Sequence, residues 1–145
     1  MKILFPNGNY YIGQLKNNIQ NGKGKLIYKN ENIKYDGDFN DDKIEGFGKF
    51  IEENGNYYIG QLKDNLKNGK GIEYYKNGNI QYDGEFINGR KEGVGKMIDE
   101  YENYYIGQFK DNLKNGRGRV FLPNGIMIYN GLFIKDKSAL DCIIN

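Results

Sequence analysis

The chain has 145 residues, sets 21 Lys and Arg against 19 Asp and Glu for a net charge of +2, and is rich in Gly (21), Asn (21) and Tyr (13). It contains no His, Trp or Thr, one Ser (Ser138) and one Cys (Cys142). This composition excludes a Ser-His or Cys-His nucleophile, a His metal ligand, an internal disulfide and a zinc cluster, and the near-neutral balance argues against nucleic acid as a partner.

Reading from the N-terminus, Met1 to Phe5 is too short an apolar run for a signal peptide before Pro6-Asn7-Gly8 intervenes. No later stretch approaches the roughly 20 apolar residues of a membrane-spanning helix. The expectation is a cytoplasmic protein without cofactor or catalytic residues. Residues 1–10 read as the second strand of a preceding unit, because Leu4-Phe5-Pro6-Asn7-Gly8 echoes Phe121-Leu122-Pro123-Asn124-Gly125.

A repeat begins at Tyr11. Tyr-x-Gly recurs at Tyr11/Gly13, Tyr35/Gly37, Tyr58/Gly60, Tyr82/Gly84, Tyr105/Gly107 and Tyr129/Gly131, with spacings of 24, 23, 24, 23 and 24. Two residues beyond each of these glycines stands Leu15, Phe39, Leu62, Phe86, Phe109 or Phe133. Gly-x-Gly follows at Gly22/Gly24, Gly46/Gly48, Gly69/Gly71, Gly93/Gly95 and Gly116/Gly118. The remaining five glycines all lie in Asn-Gly pairs. The units span residues 11–34, 35–57, 58–81, 82–104 and 105–128, with a partial sixth unit and C-terminal cap over 129–145. A longer period of 47 marks a duplicated pair of units, since Asn9-Tyr10-Tyr11-Ile12-Gly13-Gln14 returns at Asn56 and Asn103.

Within each unit the alternation predicts a β-hairpin. In the first, a strand covers Tyr10 to Lys16, a polar turn runs from Asn17 through Asn21, and a second strand runs from about Gly22 to Tyr28. Gly22 and Gly24 are expected to share a face with Leu26, leaving bare backbone on which a neighbouring Tyr ring can lie. One unit cannot bury its own core, so stability must come from stacking on its neighbours. The tail from Asp136 to Asn145 breaks the period. Ser138 to Ile144 reads as a short helix or strand capping the last edge, with Cys142 packed there as a small apolar side chain.

Tyr-x-Gly-x-Leu/Phe followed by Gly-x-Gly, repeated every 23 to 24 residues, resembles the MORN (membrane occupation and recognition nexus) repeat. The resemblance implies an all-β fold: one elongated, single-layer antiparallel β-meander of stacked hairpins, about 12 strands long. It also implies scaffolding in cytoskeletal, ciliary or membrane-associated assemblies. Three positions depart from the family pattern. Leu or Phe stands where Trp is common, Asn21, Glu45, Asn68, Glu92 and Asn115 stand where His is common, and the first-turn Asn-Gly survives only at Asn88-Gly89.

Two stripes are the candidate working surfaces, both on the strand face opposite the repeat tyrosines. Tyr10, Ile12, Tyr57, Ile59, Tyr104 and Ile106 form a Tyr/Ile stripe suited to an extended or helical segment of a partner protein. Lys23, Lys25, Lys49, Lys70, Lys96, Arg117 and Arg119 form a basic stripe suited to anionic phospholipid. Asp36, Asp83, Glu45 and Glu92 lie in alternate units and compete for those cations. Sheet edges add self-association as a third mode. Asp41-Asp42 and Glu52-Glu53 sit in turns and read as solvated acids rather than a catalytic pair.

Overall fold

The structure, a computed structural model, describes residues 1–138. Among the described residues, thirteen strands form one antiparallel sheet in chain order, each pairing only with its sequence neighbours. They are β1 Lys2–Leu4, β2 Tyr10–Lys16, β3 Ile19–Ile27, β4 Ile33–Asn40, β5 Lys43–Ile51, β6 Tyr57–Lys63, β7 Leu66–Tyr74, β8 Ile80–Ile87, β9 Arg90–Ile98, β10 Tyr104–Lys110, β11 Leu113–Phe121, β12 Met127–Ile134 and β13 Lys137–Ser138. The thirteenth strand is one more than the sequence reading gives. Lys137–Ser138 keeps the hairpin register against Phe133 and Ile134, so the period persists past Asp136 rather than breaking there. The cap expected from Ser138 to Ile144, with Cys142, lies outside the described residues beyond Ser138.

Two kinds of turn alternate along the chain. The first is a two-residue turn with both residues at positive φ: Asn17-Asn18, Asp41-Asp42, Asp64-Asn65, Asn88-Gly89, Asp111-Asn112 and Lys135-Asp136. That backbone matches strand twist and suits Asn, Asp and Gly. The first hairpin turn is therefore shorter than expected, and β3 begins at Ile19 rather than near Gly22. The second kind is a three-residue loop whose last residue has positive φ, as at Gly8, Glu31, Gly55, Gly78, Glu102 and Gly125. In five of these loops the Asn two residues before the next strand pairing accepts from the backbone two residues on, as Asn7 does from Asn9 and Asn54 from Asn56; Asp99 does the same for Tyr101. These turns account for much of the Asn content.

The two glycines of Gly-x-Gly do different work. Gly22, Gly46, Gly69, Gly93 and Gly116 have positive φ, and each sits in a register slip, such as that between Gly13/Gly24 and Leu15/Gln20. They are bulge residues and do not carry the Tyr rings. In the hairpins of β2, β4, β6 and β10, the residue after the Tyr-x-Gly glycine plugs the bulge. Gln14 Oε1 accepts from Lys23 N–H at 2.7 Å, and Asp38, Gln61 and Gln108 accept likewise.

The second glycine is the platform. A Cβ on Gly24 would fall 2.3 Å from Tyr11 Cε2, and ring atoms stand within 2.1–2.7 Å at Gly48, Gly71, Gly95 and Gly118. The sequence reading gave this contact to Gly-x-Gly alone, and the structure corrects it. The Tyr-x-Gly glycines Gly13, Gly37, Gly60, Gly84, Gly107 and Gly131 are platform residues too. A Cβ on any of them would fall 2.5–2.7 Å from the hydroxyl oxygen of its own unit's Tyr. They also pair in register with the second glycines, giving one unbroken row: Gly13, Gly24, Gly37, Gly48, Gly60, Gly71, Gly84, Gly95, Gly107, Gly118 and Gly131. The reason is reach: a Tyr side chain lying flat spans both its own strand and the next, so both must be bare beneath it.

Each repeat Tyr donates its hydroxyl to the carbonyl three residues on: Tyr11 to Gln14, Tyr35 to Asp38, Tyr58 to Gln61, Tyr82 to Glu85, Tyr105 to Gln108 and Tyr129 to Leu132. Phe39, Phe86, Phe109 and Phe133 then stand edge-on between successive Tyr rings, at centroid separations of 4.9–5.3 Å. Each such pair contributes about 0.5–1.5 kcal/mol beyond its buried area. Tyr11, Tyr35 and Tyr82 are fully buried this way in a single-layer sheet.

Successive hairpins are also stitched at the two-residue turns. Asp42 N–H donates to Gln20 carbonyl while Asp42 Oδ1 accepts from Gln20 N–H, and Asn65, Asn112 and Asp136 repeat the exchange with Ile44, Lys91 and Lys114. The third residues of β3, β7, β9 and β11 serve the next turn: Asn21 accepts from Asp41, Asn68 from Asn88, Glu92 from Asp111 and Asn115 from Lys135.

Candidate functional surfaces

The face opposite the repeat tyrosines is laid out in rows by cross-strand register. One row reads Lys2, Ile12, Lys25, Asp36, Lys49, Ile59, Ile72, Asp83, Lys96, Ile106, Arg119 and Asn130. The three candidate isoleucines and four of the seven candidate cations, Lys25, Lys49, Lys96 and Arg119, therefore share one line. A second row, nearer the two-residue turns, runs through Lys23, Asp38, Phe47, Gln61, Lys70, Glu85, Val94, Gln108, Arg117 and Leu132.

The tyrosines of the Tyr/Ile stripe occupy three settings. Tyr57 stacks on Tyr74 at 4.7 Å and carries Lys49 Nζ over its ring at 4.5 Å. Tyr104 stacks on Phe121 at 4.8 Å under Lys96 Nζ at 4.5 Å. Both are half-buried, as are Ile59 and Ile106, and Ile12 is exposed. Tyr10 departs from the expected exposed stripe. It is buried, its hydroxyl donates to Glu31, and Lys2 Nζ sits 4.0 Å above its ring. That Glu31 hydrogen bond raises the Tyr10 pKa above the ordinary phenol value. Tyr57 and Tyr104, not Tyr10, are the accessible aromatics of the stripe.

The basic stripe is interrupted by acids. Lys23 is ion-paired with Asp38, and that hydrogen bond lowers the Asp38 pKa against the opposing effect of burial. Lys25 meets Asp36 at 3.8 Å, Lys70 faces Glu85 in register, and Asp83 faces Lys96. Arg117 and Arg119 face Leu132 and Asn130 instead, so the cations without an acid opposite them lie toward the C-terminal end.

One cluster was missed by the sequence reading. Glu73 occupies, on the tyrosine face, the position that holds Leu26, Phe50, Met97 and Val120 in other units. Its Oε2 lies 2.8 Å from Lys67 Nζ and its Oε1 3.3 Å from Lys91 Nζ. Both ammonium groups sit over rings, Lys67 over Tyr58 and Phe86 and Lys91 over Tyr82, and Lys114 sits over Tyr105 and Phe133. Burial pushes the Glu73 carboxyl up, but the two lysines outweigh it and the net pKa is lowered. The available signal was an acid at an otherwise apolar repeat position. Glu52, read as a solvated turn acid, joins this network 3.8 Å from Lys67.

Among the described residues there is no group of three side chains able to hold a metal and no helix long and apolar enough to cross a membrane. The arrangement offers rigid rows of side chains for contact. It defines an open, one-layer β-hairpin repeat array whose broad face presents alternating apolar and charged residues. The chain belongs to the MORN-repeat family: the MORN repeat model matches residues 11–33, 35–57, 58–80, 82–100 and 105–127. This is a family of repeat scaffolds, generally non-enzymatic and often engaged in protein or membrane interactions. No curated protein matches the chain.

Proposed function

We propose that the array is a non-catalytic cytoplasmic adaptor that binds a protein partner along the face opposite the repeat tyrosines, centred on Tyr57, Ile59 and Ile72 and on Tyr104 and Ile106. The observation that carries this reading is the pair of stacked aromatic clamps, Tyr57 on Tyr74 and Tyr104 on Phe121, each flanked by a lysine and half-exposed isoleucines and recurring after 47 residues. Pre-stacked Tyr rings bury large area at low entropic cost on association. A partner segment long enough to span both clamps fits a role in a cytoskeletal, ciliary or membrane-associated assembly. Self-association through the sheet edges is compatible with it.

The test is a pull-down with the full chain against Ile59→Ser with Ile106→Ser, and separately Tyr57→Ala with Tyr104→Ala. Capture of a partner that both double variants lose supports the reading; a partner retained by both refutes it. Peripheral binding to anionic phospholipid is a second reading, favoured by Arg117 and Arg119 facing no acid. Its test is co-sedimentation with phosphatidylserine vesicles at physiological salt. Arg117→Glu with Arg119→Glu removes binding if these cations are the contact.

A further inference from the structure

The long edge formed by the three-residue loops holds two equivalent grooves, each enclosing about 1130 Å³. The first lies between the β3–β4 and β5–β6 loops and the second between the β7–β8 and β9–β10 loops. They are related by the 47-residue period: Tyr28, Ile33 and Ile51 of one correspond to Tyr75, Ile80 and Ile98 of the other. Both therefore have an isoleucine pair and a tyrosine wall. These apolar groups are only half-buried, so an occupant would cover apolar surface that the chain itself leaves open.

Acids outnumber bases in the lining of each groove. Glu31, Glu52 and Glu53 face Lys29 in the first, and Asp99, Glu100 and Glu102 face Lys76 in the second. Three carboxylates against one ammonium give −2 among the lining residues of each groove, on a chain whose net charge is +2. In the first groove Lys34 Nζ lies 5.7 Å over the Tyr28 ring and Lys67 stands 3.8 Å from Glu52, so an arginine entering there exchanges with cations of the chain itself. The acids converge on the aromatic wall. After burial, the Glu53 and Glu52 charges raise the Tyr28 pKa, and Glu100 and Asp99 do the same to Tyr75. A tyrosine face beside carboxylates, above an aliphatic pair, matches a side chain with a long apolar stem and a planar cationic head.

We propose that the two grooves are paired docking sites for arginine side chains of one partner segment. The grooves lie four strands apart, about 19 Å at ~4.8 Å per strand. An extended chain advancing ~3.3 Å per residue covers that span in about six residues, so the fitting ligand is an extended peptide with two arginines six residues apart, each followed by an aliphatic residue for the isoleucine pair. This goes beyond the broad-face reading, because it uses the loop edge, where Tyr104 is shared with that reading, and specifies the chemistry of the ligand.

The test is fluorescence anisotropy of labelled Arg-Leu-Gly-Ser-Gly-Ser-Arg-Leu titrated with the full chain at low and at physiological salt. The expected result is saturable binding at least about tenfold tighter than for the same peptide with its second Arg-Leu replaced by Gly-Ser, since the second contact is intramolecular. Glu53→Gln with Glu100→Gln, both exposed loop positions, is expected to lower affinity about tenfold and flatten the salt dependence. Ile59→Ser with Ile106→Ser, on the broad face, leaves this binding intact, which separates failure here from failure of the broad-face reading. Equal affinity for the one- and two-arginine peptides, unchanged binding by Glu53→Gln with Glu100→Gln, or no saturable binding overturns the proposal.

Discussion

Gly71→Ala isolates the ring-on-backbone contact that repeats through the sheet. In open space, replacing a strand glycine with alanine stabilises by about 0.5–1 kcal/mol, because the unfolded chain loses freedom. At Gly71 the new Cβ would fall 2.2 Å from Tyr58 Cε2 and Oη, more than 1 Å inside the ~3.5 Å contact distance. Tyr58 cannot lift freely, since Phe86 stands edge-on to its ring at 5.2 Å and its hydroxyl donates to Gln61 carbonyl at 2.6 Å. Loss of that bond costs about 1 kcal/mol and overpacking about 1–3 kcal/mol. The expected destabilisation is therefore roughly 3 kcal/mol, or a Tm lower by about 10 °C in a domain of this size. Gly78→Ala is the matched control, with positive φ but its nearest neighbour 3.8 Å away; it bears only the left-handed backbone cost of about 1–2 kcal/mol. The decisive assay is a double-mutant cycle with Tyr58→Ala by urea unfolding. Once the ring is gone, Gly71→Ala should cost under about 1 kcal/mol, so the two changes are strongly non-additive. Additive costs, or a Gly71→Ala penalty no larger than that of Gly78→Ala, would refute the reasoning.

Alkaline titration should separate the tyrosines. Burial raises Tyr105 to about 12 and pushes Tyr35, Tyr58 and Tyr82 higher still, from an ordinary value of 10.0. Because the folded values are raised, the stability these groups confer is complete below pH 10 and falls as pH climbs from 10 toward 12. Phenolate absorbance should show Tyr35, Tyr58, Tyr82 and Tyr105 ionising only with cooperative unfolding; ionisation of these four near pH 10 in the folded chain contradicts this. Glu73→Gln should destabilise by about 1–2 kcal/mol, discounted for partial exposure, because Lys67 and Lys91 lose their counter-charge over the rings, whereas Glu73→Gln with Lys67→Met and Lys91→Met should recover most of the loss. An uncompensated triple variant, measured by thermal unfolding, argues that the trio does not act as one unit. Gly46→Ala should cost about 1–2 kcal/mol through its φ of +118°, and more for shifting Asp38, whose Cβ would stand 2.8 Å from the new methyl; a neutral result by urea unfolding would remove the bulge assignment.

The repeat was legible because it is written in residues with few other uses. Tyr-x-Gly and Gly-x-Gly at a fixed interval located the strands, and the platform role of the second glycine followed from alternation. Alternation also misled, because it placed Gly22 and Gly24 on one face, whereas the bulge inserts a residue and gives Gly22 a positive φ. Nothing in a period of two announces an inserted residue. Nor does it show that Gly37, Gly60, Gly84, Gly107 and Gly131 share the platform, since a glycine two residues after its Tyr meets that ring only when the side chain lies along the strand. The Asn17-Asn18 turn was overextended because Ile19, Gln20 and Asn21 read as polar loop, but the next hairpin's turn supplies backbone partners to Gln20 and Asn21. The working surfaces were partly visible. The spacing placed Tyr57 and Tyr104 beside cations, but it could not show that Glu31, a loop residue 21 positions away, would hold Tyr10 down. The edge grooves were invisible in sequence because each is assembled across four strands.

Every strand here hydrogen-bonds only to the strands that precede and follow it in the chain. The sequence distance that must be closed to form each new pair is thus one hairpin, wherever along the array it forms and however long the array becomes. Loop-closure entropy, which slows most β proteins, does not grow with the number of units. Formation can proceed like a zipper from any hairpin that first captures a Tyr ring on its neighbour's glycine. Adding or deleting a 47-residue block changes the length of the molecule while leaving the speed of each step unchanged.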